Sequence, residues 1–336
     1  MKRRRAMQLL LLMSQGRSSM AIERGRPSLQ PLWHPAKGLA GVRMAPGPAL
    51  RLLVANDNQP RLRRLLALNF SATAQPALLE PPQSVRDLPG RLDWDARLDQ
   101  NHWQVVSLHA GSGVAPLLLF DPGLASGRPV DVHNPRGIFS KPRFTGETGA
   151  IIAVNVDGGY SIALYTPIAA GLYAPRRLLP IAVPGIVQAA HLLHWRGQLL
   201  LIVQTFAPGP YRLQGQGRSA TVQRSGRLAV QALDADWQPV GAAWQPLGDL
   251  PVFEFAAAQA GERLGLLATT AAGFVLAQGS PDLEGRGFSL IKEDWPTELL
   301  SPCLQSMGNG WRSVLLQQID PLDRGLLWGD WSALPR

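Results

Sequence analysis

Ala150-Ile-Ile-Ala-Val-Asn155, Val156-Asp-Gly-Gly159 and Tyr160-Ser-Ile-Ala-Leu-Tyr165 follow one another without a break. Two short apolar runs joined by Asp-Gly-Gly predict a β-hairpin, because Asp and Gly tolerate the positive φ that tight hairpin turns require. The scheme recurs upstream and downstream. His102-Trp-Gln-Val-Val-Ser-Leu108 turns through Ala110-Gly-Ser-Gly113 into Ala115-Pro-Leu-Leu-Leu-Phe120. Arg263-Leu-Gly-Leu-Leu-Ala-Thr269 turns through Thr270-Ala-Ala-Gly273 into Phe274-Val-Leu-Ala-Gln278. A similar connection follows each hairpin: Asp121-Pro to Gly127, Thr166-Pro to Gly171 and Ser280-Pro to Gly285.

Each unit gains a further strand after that connection, around Arg128–His133, Ala174–Leu179 and Phe288–Lys292. A short strand precedes each hairpin, at Arg91–Asp95, Lys141–Phe144 and Pro251–Phe255. Comparable segments at Gly38–Met44, Gln188–His194 and Ser301–Gln305 put repeat starts near 40, 92, 142, 189, 252 and 302. A period of ~50 residues with four short strands per unit describes a β-propeller. A two-sheet sandwich would not produce that period. The expected fold is therefore all-β, one propeller of six four-stranded blades, with five and seven as the neighbouring counts. The last unit is one strand short, so a strand near Ser28–Trp33 is expected to complete it and close the ring. The fourth unit carries irregular extra length through Pro208–Arg224.

The composition agrees with one large folded domain. The 336 residues are 46% apolar and 17% charged, with 34 Gly and 29 Pro. No run approaches the ~18 apolar residues of a membrane-spanning helix. A single Cys excludes a disulfide framework and any Cys-rich metal site. The formal charge of +9 is unevenly spread: residues 1–64 hold 13 Lys/Arg against 2 Asp/Glu, and residues 65–336 hold 20 against 22. The excess is thus a property of the amino-terminal part, and no nucleic-acid partner is expected. Arg61-Leu-Arg-Arg64 has no interleaved aromatics and reads as a solvated face.

Residues 1–26 form a basic segment ahead of a propeller domain at 27–336. Lys2-Arg-Arg-Arg5, the apolar Ala6–Met13 and Ser19-Met-Ala21 have the order of a short signal peptide with a small-x-small cleavage site. That reading places the protein in the periplasm or outside the cell. A disordered tail, or a start at Met20, places it in the cytoplasm.

Ser280-Pro-Asp-Leu-Glu-Gly-Arg-Gly-Phe288 resembles the Ser-x-Asp-x-Gly-x-x-Trp turn of glycoside-hydrolase and sialidase-like propellers. Ser280 and Asp282 match, whereas Gly285 and Phe288 fall one position late. Gly158–Tyr165 is similar to strands of the same superfamily. The resemblance implies a propeller that binds or hydrolyses glycans at the end of its central channel.

First strands of propeller blades line that channel, so their inward side chains converge. Here they contain Arg43, Asp93, Asp95, Arg143, His191, Glu254 and Gln305 beside Cys303. Buried charges are costly unless paired, so such a ring implies salt bridges around a structural channel or a polar ligand. Glycoside hydrolysis needs two carboxyl groups across the scissile bond. Asp93 or Asp95 opposite Glu254 is the candidate catalytic pair, with Arg43, Arg143 and His191 as ligand-binding groups. On a strand Asp93 and Asp95 would share a face; a loop end with solvated carboxylates is the competing reading.

His191 and His194 would point to opposite faces of a strand, so no metal is expected. Gly215-Gln-Gly-Arg-Ser-Ala220 lacks a following helix and reads as loop, and no cofactor is indicated. Cys303 reads as a small core residue, and the ten Trp as blade packing or sugar-stacking platforms. The expected partner is a glycan or small polar ligand at the channel of a monomer. A non-catalytic protein-binding scaffold is the alternative, since the fold alone hosts both.

Overall fold

The computed structural model describes residues 29–35, 38–59, 62–89, 93–108, 117–121, 127–132, 139–145, 149–156, 160–214, 221–280, 287–308, 310–320 and 323–332. They contain 26 strands. Blade 1 is β2 (Leu39–Met44), β3 (Leu50–Gln59), β4 (Leu62–Phe70) and β5 (Gln83–Pro89); blade 2 is β6 (Trp94–Asp99), β7 (His102–Leu108), β8 (Leu117–Phe120) and β9 (Arg128–Pro129). Blade 3 is β10 (Phe139–Thr145), β11 (Ala150–Asn155), β12 (Ser161–Tyr165) and β15 (Arg177–Leu179), with a side hairpin of β13 (Pro167–Ala169) and β14 (Leu172–Tyr173). Blade 4 is β16 (Val187–Trp195), β17 (Gln198–Gln214), β18 (Thr221–Leu233) and β19 (Pro239–Trp244). Blade 5 is β20 (Glu254–Ala260), β21 (Arg263–Thr269), β22 (Gly273–Gly279) and β23 (Phe288–Asp294). Blade 6 takes β24 (Glu298–Met307), β25 (Gly310–Gln318) and β26 (Arg324–Ser332) from the carboxy-terminal end. Its outer strand is β1 (Gln30–Trp33), which pairs antiparallel with β26, Gln30 lying opposite Trp328.

The six-bladed arrangement and its amino-terminal closing strand are those the repeat predicts. The reason lies in the middle strands. Along β11, Ile151 and Ala153 pack toward blade 2, while Ile152 and Val154 pack toward blade 4. Successive side chains of a strand point to opposite faces. A strand buried on both faces is therefore apolar along its length, and β11 is buried throughout with Ala150–Val154 all apolar. Six apolar clusters result, each shared by two neighbouring blades.

Several local expectations are corrected. The strand expected at Arg91–Asp95 begins at Trp94, where pairing with β7 starts, so Asp93 precedes it and shares no strand face with Asp95. The strand expected over Arg128–His133 is two residues long. The Thr166–Gly171 connection is itself hairpinned, with Gly171 at φ +65°. The turns at Asp157–Gly159 and Ala110–Gly113 lie outside the described residues, as do residues 1–28 and positions 281–286 of the Ser280–Phe288 turn. Among the described residues no helix is long and apolar enough to cross a membrane.

Candidate functional site

Asp95 is the hub of the channel charges. It is 5% exposed and stands on the first strand of blade 2, between the first strands of blades 1 and 3. Arg43 of β2 donates from Nε to its Oδ1, Arg143 of β10 places Nη1 3.6 Å away, and the Phe144 N–H donates to Oδ2 at 2.7 Å. Arg43 also donates to the carbonyls of Val42 (2.7 Å) and Trp94 (2.8 Å), and lies over the Trp94 ring. Burial alone would lower the Arg43 guanidinium, but Asp95, with Cys303 and Glu254, outweighs it and holds the group above its ordinary value.

Arg143 is held far less tightly. Among the described residues its hydrogen bonds, to the Trp94 and Pro142 carbonyls, are 3.5 Å long. Burial and the neighbouring Arg43 push its guanidinium below the ordinary value against the pull of Asp95, Asp93 and Glu254. Its side chain is 27% exposed. His191, on β16, is pushed down to about 4 by burial and by Arg143, and so is neutral near pH 7.

Asp93 faces Lys141, which offers both its backbone N–H and its Nζ, each at 3.3 Å. Burial would raise Asp93, but Lys141 and then Arg143 bring its carboxyl below the usual range. Glu254 opens β20. It takes the Ser301 N–H, the Gln223 amide at 3.3 Å and the Arg212 Nη2 at 3.4 Å. Burial pushes this carboxyl up as well, and Arg212, Lys141, Ser301 and Gln223 together bring it below its ordinary value.

Arg212 arrives on an arm. The extra length of blade 4 extends β17 and β18 as a two-stranded ribbon beyond a register shift between Phe206 and Tyr211. At that bend, Pro208-Gly209-Pro210, a Cβ on Gly209 would lie 2.7 Å from Ser225 Oγ, so only glycine fits as built. The arm crosses blade 5, where Arg212 stacks over Phe253 and Gln223 bonds its carbonyl. It reaches blade 6, where Arg212 Nη1 donates to the Leu299 carbonyl at 2.8 Å. The Arg212 side chain is 3% exposed, while Tyr211, Leu213 and Val222 on the other face are exposed.

The structure thus brings Arg43, Asp93, Asp95, Arg143, His191 and Glu254 together, and buries Asp95 where a solvated loop end was the competing reading. Glu254 pairs with Arg212, which sequence reasoning missed because it sits in the insertion read as irregular. Lys141 was missed too, although it stands two residues before Arg143, the spacing that drew attention to Asp93 and Asp95. Residues 215–220, read as loop, lie outside the described residues. Cys303 is buried, its Sγ 3.3 Å from the Val42 carbonyl and its thiol pushed up to about 11 by burial. Several Trp tie blades together: Trp195 Nε1 donates to the Glu262 carbonyl of blade 5, and Trp311 Nε1 to Gln278 of blade 5.

No protein-family model matches the chain, and no curated protein matches it. Among solved structures it is similar to a subtype N10 neuraminidase-like protein of A/little yellow-shouldered bat/Guatemala/060/2010, with a TM-score of 0.56 and 10% identity over 92% of this chain and 98% of that one. At that identity the likeness is one of fold. The fold they share with this chain's six four-stranded sheets is a β-propeller.

Proposed function

We propose that the channel end built by Arg43, Asp93, Asp95, Lys141, Arg143, Arg212 and Glu254 binds an acidic sugar, and that it does so without hydrolysing the glycosidic bond. The observation that carries the reading is Arg143: a partly exposed guanidinium beside a second one, with long hydrogen bonds and a carboxylate already shared with Arg43. An incoming carboxylate would relieve that repulsion through charge-assisted bonds. Four cations face three carboxylates in this group, so the site favours an anion, and the hydrogen-bonding groups around it suit hydroxyls. The fold likeness to a neuraminidase-like protein supports a glycan as the ligand class.

Hydrolysis needs a carboxylic acid that stays protonated near neutral pH. Asp93 and Glu254 are both held below their ordinary values, and the Asp95 oxygens are taken by two guanidinium groups and the Phe144 N–H. That is an arrangement for holding charge in place. A second reading, a protein-binding scaffold, has the outward apolar face of the arm in its favour.

The test is calorimetric titration with N-acetylneuraminate, glucuronate and glucose, beside an aryl-glycoside turnover assay. Binding of an acid that Arg143→Gln abolishes, with no turnover, is expected. Turnover lost in Glu254→Gln would establish the hydrolytic reading instead. Absence of sugar binding would leave the scaffold.

A further inference from the structure

A second cleft lies between blades 1 and 2, at the other end of β6 from the channel charges. Asp93 immediately precedes that strand and the Gln100-Asn101 turn follows it, and six residues of strand span about 20 Å. The cleft has a volume of about 820 Å3, within the ~300–1,000 Å3 usual for small-molecule sites.

Its walls differ in kind. One is apolar: Trp103 and Leu98 of blade 2 face Phe70 and Leu79 of blade 1, and Leu79 is 67% exposed at the lip. The other is polar, but its carboxylates are already satisfied. Glu80 accepts from Asn69 (2.5 Å) and from Gln83 (2.7 Å). Asp121 accepts from Gln104 at 2.9 Å and from Arg128, while its carbonyl takes Arg86.

Arg51 of β3 is different. It pairs with no carboxylate among the described residues. Its Nη1 donates to the neutral Asn101 Oδ1 at 3.0 Å, and its Nε is sealed from solvent without an acceptor. Gln100 and Asn101 both have positive φ, 45° and 68°, as a two-residue hairpin turn of this hand requires, and the turn carries Asn101 to Arg51. The guanidinium is thus fixed across two blades, beside an apolar wall, with its charge unanswered. A guanidinium that no carboxylate answers takes a ligand's carboxylate at its Nη nitrogens through charge-assisted hydrogen bonds.

We infer that this cleft is a second binding site, for an organic acid with an aromatic or aliphatic body: the carboxylate on Arg51, the body against Trp103, Leu98 and Leu79. It is independent of the channel site.

The experiment uses the full chain and 4-phenylbutyrate, with 4-phenylbutyramide as the neutral control, followed by calorimetry and by Trp fluorescence. The acid binds at least tenfold more tightly than the amide. Arg51→Gln brings the acid down to the amide's level, and Trp103→Phe removes the fluorescence change. Leu79→Ser, at an exposed position that folding does not depend on, weakens acid and amide alike. Arg143→Gln changes nothing. Equal affinity for acid and amide, no binding by either to the folded wild-type chain, an unaffected Leu79→Ser variant, or loss of binding in Arg143→Gln would each overturn the assignment. Failure of the acidic sugars at the channel would leave it standing.

Discussion

Lys141 and Ser301 occupy matching places in blades 3 and 6, three steps apart round a ring of six, and both have left-handed backbones, with φ of 49° and 46°. Each sits at a register shift in a first strand, Lys141 between Ser140 and Arg143, Ser301 between Leu300 and Cys303. Each points its N–H at a carboxylate of the preceding blade, Asp93 for Lys141 and Glu254 for Ser301. The left-handed conformation costs a side-chain-bearing residue roughly 1–2 kcal/mol. It persists where surrounding structure over-determines it, and such residues cluster at functional sites.

At Ser301, glycine should therefore be accepted. Ser301→Gly relieves the backbone while adding freedom to the unfolded chain, and the net change is expected within about 1 kcal/mol of zero. Glu254→Ala removes the acceptor and strands Arg212, and should cost ~3–5 kcal/mol. Denaturant unfolding of the two variants checks the contrast; a large loss in Ser301→Gly would mean that its side chain, not its backbone, matters.

Acid lability should show two steps. His191 titrates at about 4 in the folded protein against ~6.5 in an unfolded chain, so the unfolded state binds its proton first. Stability from this group is intact above pH ~6.5 and is lost as pH falls toward 4, with a slope approaching ~1.4 kcal/mol per pH unit. Asp93 and Glu254 have depressed folded values; their contribution is intact above the ordinary carboxylate range and is lost below it. Melting curves from pH 7 to 3 should show His191→Gln flattening only the upper step and Glu254→Gln only the lower.

The arm should depend on its inward contacts. Arg212→Met keeps the stem over Phe253 but removes the bonds to Glu254, Gln223 and Leu299. Proteolysis at the arm is expected to quicken at least tenfold in this variant, with the blades holding their melting temperature to within a few degrees. An arm as resistant as wild type would show that Phe253 alone retains it.

Alternation in β11 gives a packing test. Ile151 and Ile152 are both fully buried, against blades 2 and 4 respectively. Truncation of either to Ala should cost ~2–4 kcal/mol, and because the two side chains lie in separate apolar clusters the losses should add within ~0.5 kcal/mol. Strong coupling in the double variant would mean that the two faces relax together.

The fold was legible because burial on both faces writes itself into sequence: runs such as Ala150–Val154 are apolar at every position, and turn residues space them at a blade's length. The closing strand was legible as the piece missing from the last unit. The channel set Arg43, Asp95, Arg143, His191 and Glu254 followed from strand order alone. Arg212 did not, because its partner Glu254 lies on another blade and only the bend at Pro208-Gly209-Pro210 brings them together. The Arg51 cleft was hidden for a similar reason: its walls come from the ends of two blades, and nothing local marks Leu79 and Trp103 as neighbours.

Blade 6 is assembled from both ends of the described chain, since β1 lies against β26. On the ribosome β1 is made before the other strands of the ring and β26 after them. Closing blade 6 therefore requires β26, and a chain that lacks it leaves β1 and β25 with exposed strand edges for other chains to pair with.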